Sequence, residues 1–495
     1  MKKRQLAVIG GGLMQLPVLR LARNLGLETL CLDGNPQAPG RAEADYFVVA
    51  DIQNHQLCLE AAQRHQQQWG LHGVLTVGTD FSTTASWIAQ NLGLPGHTYE
   101  AALKAKDKEL MRQTLRQAGL PSPEFKVFSA SNLTDDLPFA RPCVVKPVDS
   151  MGARGVQLVS SAREWHQAAA DALRFSPTGR VIAEDYIDGP EYSLDALIQG
   201  DQFYPMGLAD REIHFSPFFV ELGHSFPSGA DEKRLQALWA LLRAAGQALG
   251  LTEGAVKGDL KWSTNGPVIG EIAARLSGGF MSGWTYPLSS GRSAIEAAIR
   301  IALGEQASPQ AESSRATVWE RAFFTIPGKL RAVKNLEKAR ALPGVKELFW
   351  LVEPGKETFW PRNNVEKLGN VIVSASATET SSVVRAVRLM VTVELECPHP
   401  RTDEFFQNLN QNWWFPDARP WFEEEKPLPD FSAGFGSHWQ DSYGLTVQEW
   451  LEQESLRNPE AGDRSAWPAW AWRYFFQGGL TGLHYGRERF GVIKR

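Results

Sequence analysis

The residues best suited to chemistry cluster between Val256 and Gly283, in VKGDLKWSTNGPVIGEIAARLSGGFMSG. Ser263-Thr264-Asn265-Gly266-Pro267 is a turn signal, with Asn-Gly its strongest dipeptide. The stretch therefore predicts two short strands and then a glycine-rich loop. Side chains alternate faces along a strand. Lys257, Asp259 and Lys261 share one face of the first strand, and Glu271, Ala273 and Arg275 one face of the second. Paired across the turn, Asp259 and Glu271 sit side by side, with Arg275 just beyond. Two adjacent carboxylates repel unless a cation lies between them, and hard oxygen donors beside a phosphate suit Mg2+. A hairpin with solvated charges would carry the same residues, so the choice depends on what the rest of the chain supplies.

A second cluster supplies it. The apolar run Cys143-Val144-Val145 delivers Lys146 to a loop holding Ser150, Met151, Gly152 and Gly155. Glycines let backbone N–H groups point at an anion, and lysine adds a point charge. The pattern cradles phosphate without being GxxxxGK[ST]; a hairpin with a flexible loop would read alike. Further on, the strand VIAEDYI is followed by DGPEYSLD, so that Glu184 and Glu191 flank a turn. Such a turn offers backbone groups to an adenine edge and a carboxylate to a ribose, or is simply an exposed acidic turn.

The elements that must position these groups read as follows. Residues 1 to about 100 alternate strand and helix signals, which implies a parallel sheet covered by helices. Gly10-Gly11-Gly12 closes the first strand, but Leu13-Met14-Gln15 follows, so GxGxxG fails and Asp33 is a poor candidate for a dinucleotide's ribose acid. A loop lining a small-molecule site, with Gly11 in it and Asp80 at the same sheet edge, is the better reading. Residues 101–120 read as one amphipathic helix carrying Lys104, Lys106 and Lys108, ended by Gly119 and stopped by Pro121 and Pro123. Beyond residue 317 strands recur at 322–326, 345–352 and 370–374, then a helix over 378–390 and a strand over 391–396.

Composition sets the bounds. A chain of 495 residues has room for three or four domains. Hydrophobic content of 43% and charged content of 22% are ordinary for a soluble protein, and a net charge of −5 exerts no general pull on nucleic acid or anionic membrane. Cys31, Cys58, Cys143 and Cys397 form no CxxC pair, which fits reduced thiols in a cytoplasm. No apolar run is long enough to span a bilayer, and the one at the N-terminus is too short for a signal peptide.

Taken in order over roughly residues 5–395, these motifs resemble the ATP-grasp superfamily, and within it the carboxylate–amine ligases, with likeness to L-amino-acid ligases and biotin-carboxylase-like members. The resemblance implies an α/β ATP-grasp fold. It would comprise a Rossmann-like domain (1–100), an ATP-grasp domain (101–320) with a small lid (about 121–187) and a central antiparallel sheet, a ligase subdomain (321–397) and an aromatic-rich extension (398–495). It implies ATP and Mg2+, with Mn2+ as a substitute. Lys108 and Lys146 match the lysines on the ATP phosphates, and Ser150, Met151, Gly152 and Gly155 the lid loop. Glu184, Tyr186 and Ile187 match the adenine hinge, and Glu191 the ribose acid. Asp259 and Glu271 match the metal acids, Arg275 the arginine on the transferred phosphoryl group, and Ser277-Gly278-Gly279 the loop around an acyl phosphate. In related ligases the segment 208–229 faces substrate, where Arg211 suits a carboxylate and Glu221 or His224 an ammonium or a proton in transit. An exposed loop is the alternative.

One position departs from the pattern: Ala273 stands where many relatives carry a metal-binding asparagine. The expected activity is ATP-dependent coupling of a small-molecule carboxylate to an amine, in a homodimer by family habit. The alternatives are a carboxylase or formate-using enzyme of the same phosphate chemistry, and a nucleotide-binding scaffold without activity. The extension holds 8 of the 17 tryptophans, in runs such as Trp413-Trp414-Phe415. It is too aromatic for a disordered tail, and either packs on the body or a second subunit or caps a substrate pocket.

Overall fold

A computed structural model describes residues 3–307 and 313–407, apart from 377–378, 381–382, 385–386, 388–389 and 397–398. The chain divides into two units. One is formed by 1–213 and 221–320, the other by 214–220 and the residues from 321 onward.

The first unit opens with β1 (Gln5–Ile9), α1 (Leu16–Asn24), β2 (Glu28–Asp33), β3 (Tyr46–Val49), α2 (His55–Trp69), β4 (Gly73–Leu75) and α3 (Ser82–Leu92). The strands form a sheet in the order β3-β2-β1-β4, parallel throughout. β1 is buried at every residue, as its unbroken apolar run demands. The carboxyl ends of β1 and β4 bring the glycine turn and residues 76–80 to one edge. Asp33 turns its carboxylate onto the N–H groups of Gly11 and Asn35, so it shapes the loop rather than awaiting a ribose.

The helix expected over 101–120 is two helices, α4 (Tyr99–Lys106) and α5 (Lys108–Gln117). The break is Asp107, whose backbone is extended and whose carboxylate caps α5 through Leu110 N–H at 3.0 Å. Arg180 holds the other carboxylate oxygen at 2.6 Å. No proline or glycine marks the break, because an aspartate that finds its own backbone partners suffices. Lys108 thus becomes the first residue of α5.

Next come β5 (Phe125–Ser129), β6 (Cys143–Pro147), β7 (Gln157–Val159), α6 (Ala162–Arg174) and β8 (Arg180–Asp185). They make an antiparallel sheet in the order β5-β8-β6-β7. Trp165, Ala168, Ala169 and Ala172 of α6 pack on Val145, Val181 and Ala183. The central sheet holds β9 (Glu191–Gln199), β10 (Gln202–His214), β11 (Val220–Phe226), β12 (Glu253–Ser263) and β13 (Gly266–Ala273), in the order β13-β12-β9-β10-β11. Helix α7 (Glu232–Leu249) covers one face, with Leu238, Leu242, Ala245 and Leu249 against Leu194, Ala196, Val256, Leu260 and Ile272. Alternation then leaves the charged residues of these strands on the other face. The segment 208–229, readable as a loop, mostly belongs to β10 and β11. α8 (Tyr286–Ser290) and α9 (Ala294–Ala302) follow.

β14 (Thr317–Phe323) lies earlier than the strand expected over 322–326. The second unit contains β15 (Gly328–Lys334), β16 (Val345–Trp350), β17 (Glu357–Thr358), β18 (Gly369–Ala375) and β19 (Thr392–Leu395), followed by a helix at Pro400–Gln407. β15 pairs with β17 and β19, and β16 with β18, all antiparallel. Of the aromatic extension only residues 399–407 are described; its tryptophans lie outside the described residues.

Candidate active site

The hairpin places Asp259 directly opposite Glu271. The pairing then slips, with Leu260 opposite Ile269, so Gly270 is a bulge. Across the other edge of β12, Lys257 faces Asp195, Asp259 faces Ser193, and Lys261 faces Glu191. β10 sets Arg211 beside Glu191. One sheet face therefore carries acids and bases interleaved.

Asp259 accepts a hydrogen bond from Ser193 Oγ at 2.9 Å, lies 3.3 Å from Arg211 and is paired with Lys257. Burial pushes its carboxyl up, but Arg211 and Lys257 outweigh that and hold it below the usual carboxylate range. Arg211 also reaches Glu191 at 3.2 Å and Glu221 at 2.9 Å. It is a mostly buried cation shared by three acids, the partners that a substrate carboxylate would have to join or displace there. Lys261 spans Glu191 and the Ile187 carbonyl, each at 2.9 Å. Glu271 pairs with Lys108 at 3.2 Å; burial raises its pKa, but Lys108, Lys257 and Lys146 drive it far below normal.

Asp259 and Glu271 fit Mg2+. They are two hard carboxylates in direct opposition, both kept ionised by their neighbours. Mg2+ characteristically takes one or two carboxylates and completes its shell with substrate phosphates and water. Among the described residues no three His, Cys, Asp or Glu side chains gather as a metal cage.

The lysines and glycines expected at phosphate lie on α5, on β6 and in the loop after β6. Lys108 Nζ donates to the Ser150 carbonyl at 2.8 Å, and its backbone N–H to Val148 O at 3.0 Å. The loop turns through left-handed backbone at Gly152, Ala153 and Gly155. A Cβ on Gly155 would lie 2.9 Å from Ala172 Cα, whereas Gly152 faces open space. Met151 contributes its carbonyl to Arg154. Lys146 is buried against Glu184 at 2.7 Å; burial lowers its pKa and Glu184 opposes the shift.

Several expectations need correction. Glu184 is no adenine ligand through its side chain: it is 3% exposed and committed to Lys146 and to Arg112, at 2.9 and 3.2 Å. In the expected hinge, the Tyr186 N–H donates to Pro142 O at 3.3 Å and the Ile187 carbonyl accepts from Lys261 at 2.9 Å. Ser277 points inward, its hydroxyl on Met281 Sδ at 3.2 Å and its N–H on Asp195 at 2.8 Å. Gly11 gives its N–H to Asp33 and its carbonyl to Gly40 N–H, and a Cβ there would meet Cys31 Sγ at 2.9 Å. Its place is structural.

Other candidates converge. Gly278 lies against Gly78, whose N–H donates to Leu276 O at 3.1 Å. Gly279 has φ +60, and a Cβ on it would stand 2.9 Å from His224 Cε1 and 3.0 Å from Glu221 Oε1. His224 sits between Glu221 at 3.5 Å and fully buried Glu320 at 3.3 Å. Arg275 donates to Leu276 O at 3.1 Å. Burial raises the pKa of Asp80, with the charges of Lys106, Lys108 and Arg275 opposing the shift. Sequence reasoning passed over Arg112, Ser193, Asp195, Lys257, Lys261, Gly78 and Glu320 as site residues. The first acid, Glu191, gives Ser193 and Asp195 by period two; Arg112 and Glu320 carry no local signal.

The α/β fold that holds these residues is the ATP-grasp fold, as comparison with known proteins shows. Residues 139–283 match the family described as ATP-grasp domain, and residues 322–396 the one described as L-amino acid ligase C-terminal domain 2. The chain thus carries an ATP-grasp domain followed by the C-terminal domain found in L-amino acid ligases. Among solved structures, the L-amino acid ligase from Bacillus licheniformis matches with a TM-score of 0.69 at 21% identity, over 80% of this chain and 100% of that one, a likeness of fold. The y4rH protein of Sinorhizobium fredii is 26% identical over 73% of this chain and 76% of its own. Carnosine synthase 1 of Gallus gallus is 26% identical over 61% of this chain and only 35% of its own length.

Proposed function

We propose that this protein is an ATP-dependent ligase that couples a carboxylate to an amine through an acyl phosphate, releasing ADP and phosphate. The observation that carries the reading is the direct opposition of Asp259 and Glu271, with the Lys108–Lys146 phosphate loop on one side and the Gly278–Gly279 turn, backed by Glu221 and His224, on the other. The names of the L-amino acid ligase and carnosine synthase relatives support amino-acid-type substrates.

A carboxylate is a poor acyl donor because oxide is a poor leaving group. One carboxylate oxygen attacks the γ-phosphorus of ATP and ADP leaves. The amine nitrogen then attacks the acyl carbon, and phosphate departs with the former carboxylate oxygen. Such transfer needs positioning and charge neutralisation more than covalent help from the protein. Lys108 and Lys146 hold the phosphate oxygens, and Arg275 meets the charge on the transferred group. Mg2+ held by Asp259 and Glu271 would neutralise polyphosphate charge when bound. The N–H groups of the Gly278–Gly279 turn stabilise the tetrahedral oxyanion. Glu221 and His224 receive the ammonium group and take the proton it must lose before attack. The test is phosphate release from Mg2+-ATP with pooled carboxylates and amines, followed by mass spectrometry of the product. Stimulation that requires both an acid and an amine is expected. Turnover stimulated by bicarbonate or formate alone, or ATP binding without turnover in any pool, would overturn the reading.

A further inference from the structure

Arg112 has no place in the chemistry above, yet it is among the most deeply buried cations of the chain, with 0% exposure. It lies on α5 four residues after Lys108, so the two share a helix face. Its fork closes on Glu184, Nε to Oε1 at 2.9 Å and Nη2 to Oε2 at 3.2 Å. Nη2 also donates to the Gly270 carbonyl at 2.5 Å. That carbonyl is available because Gly270 is the bulge residue of the hairpin, and a Cβ there would meet Asp259 O at 2.9 Å. Glu184 Oε2 is shared with Lys146, whose Nζ lies 2.7 Å from it.

The charge balance of this triad has a consequence. Lys146 with Glu184 alone is a neutral pair, a weak place for a phosphate in a water-poor site. A second cation on the same carboxylate leaves the triad at +1, with the surplus directed to the lysine that faces the loop. The Gly270 contact also fixes Glu271, the next residue, relative to the same helix that presents Lys108 to it. We infer that Arg112 is a positioning residue of the ATP site: it offsets the charge of Glu184 so that the charge of Lys146 remains available to phosphate. This inference rests on the ATP-ligase reading.

The test is the dissociation constant of Mg2+-ATP, by titration calorimetry, for wild type, Arg112→Met and the double variant Arg112→Met/Glu184→Gln. Arg112→Met removes a positive charge and is expected to weaken ATP at least tenfold. The double variant restores the net charge beside Lys146 and is expected to recover to within about threefold of wild type. A residue that served only packing would give no recovery, because the second substitution removes one more buried contact. A folded double variant as weak as Arg112→Met, or an Arg112→Met variant that binds like wild type, overturns the inference and leaves the ligase reading intact. If Arg112→Met does not fold, the double variant decides alone: a loss of tenfold or more against wild type overturns the inference. Wild type that fails to bind ATP removes both readings together.

Discussion

Asp195 is a small site where two physical demands conflict. It lies fully buried at the centre of β9, with Oδ1 taking the Ser277 N–H and Oδ2 without a hydrogen-bond partner among the described residues. Burial pushes its carboxyl up to about 6, opposed by the Ser277 hydrogen bond. The folded state therefore holds this proton more tightly than the unfolded chain does. The stability involved is present below the ordinary carboxylate range and is lost as pH rises through about 6. Two pKa units correspond to about 3 kcal/mol. Asp195→Asn keeps an acceptor for Ser277 and cannot ionise. It is expected to be more stable than wild type above pH 7 by up to about 3 kcal/mol, the difference closing toward pH 4. Urea unfolding across that range measures it, and a difference independent of pH would contradict the account. Lys146 gives a second prediction. Lys146→Met leaves Glu184 its Arg112 partner, so the variant should fold, while ATP turnover falls at least about 100-fold as for the loss of a transition-state contact. ADP release at the wild-type rate with saturating substrates would refute the role.

Elements decide which of these residues meet. Asp107 ends α4, caps α5 and sets Lys108 on the phosphate loop and Glu271. Asp107→Ala removes the cap and one partner of Arg180, which keeps Glu109. The expected cost is about 1–2 kcal/mol in thermal unfolding together with weaker ATP binding; unchanged values for both would contradict the positioning of Lys108 by this break. The same element shows the limit of reading a sequence. The hairpin and its faces were legible because Asn265-Gly266 marks a turn and period two sorts the side chains, but its register was not: Ser263 pairs with Gly266, and only the bulge at Gly270 brings Asp259 opposite Glu271. The turning loop after β6 was legible because Gly152 and Gly155 mark left-handed backbone. The helix break was not, since KAKDKEL is good helix sequence and only the capping contact reveals the choice. Nor were the inward turn of Ser277 and the occupation of Arg211 by three acids, because both depend on partners distant in sequence: Asp195 for the first, Asp259 and Glu221 among those of the second.

At the scale of the molecule, every candidate residue falls in the first unit, between Gly11 and Glu320. A ligand bound there should stabilise the folded state by mass action. Mg2+-ATP at about 100 times its Kd is expected to add about 2.7 kcal/mol to wild type. Asp259→Asn should lose the part of that gain that depends on Mg2+, and an equal thermal shift in both proteins would remove Asp259 from the metal site. The central claim is that a carboxylate oxygen passes to phosphorus. The most direct measurement uses the coupled acid labelled with oxygen-18 in its carboxylate and follows the label by mass spectrometry. The account predicts one labelled oxygen in the inorganic phosphate released with each amide formed, and ADP as the other product. Label in AMP, or phosphate released without label, would contradict it.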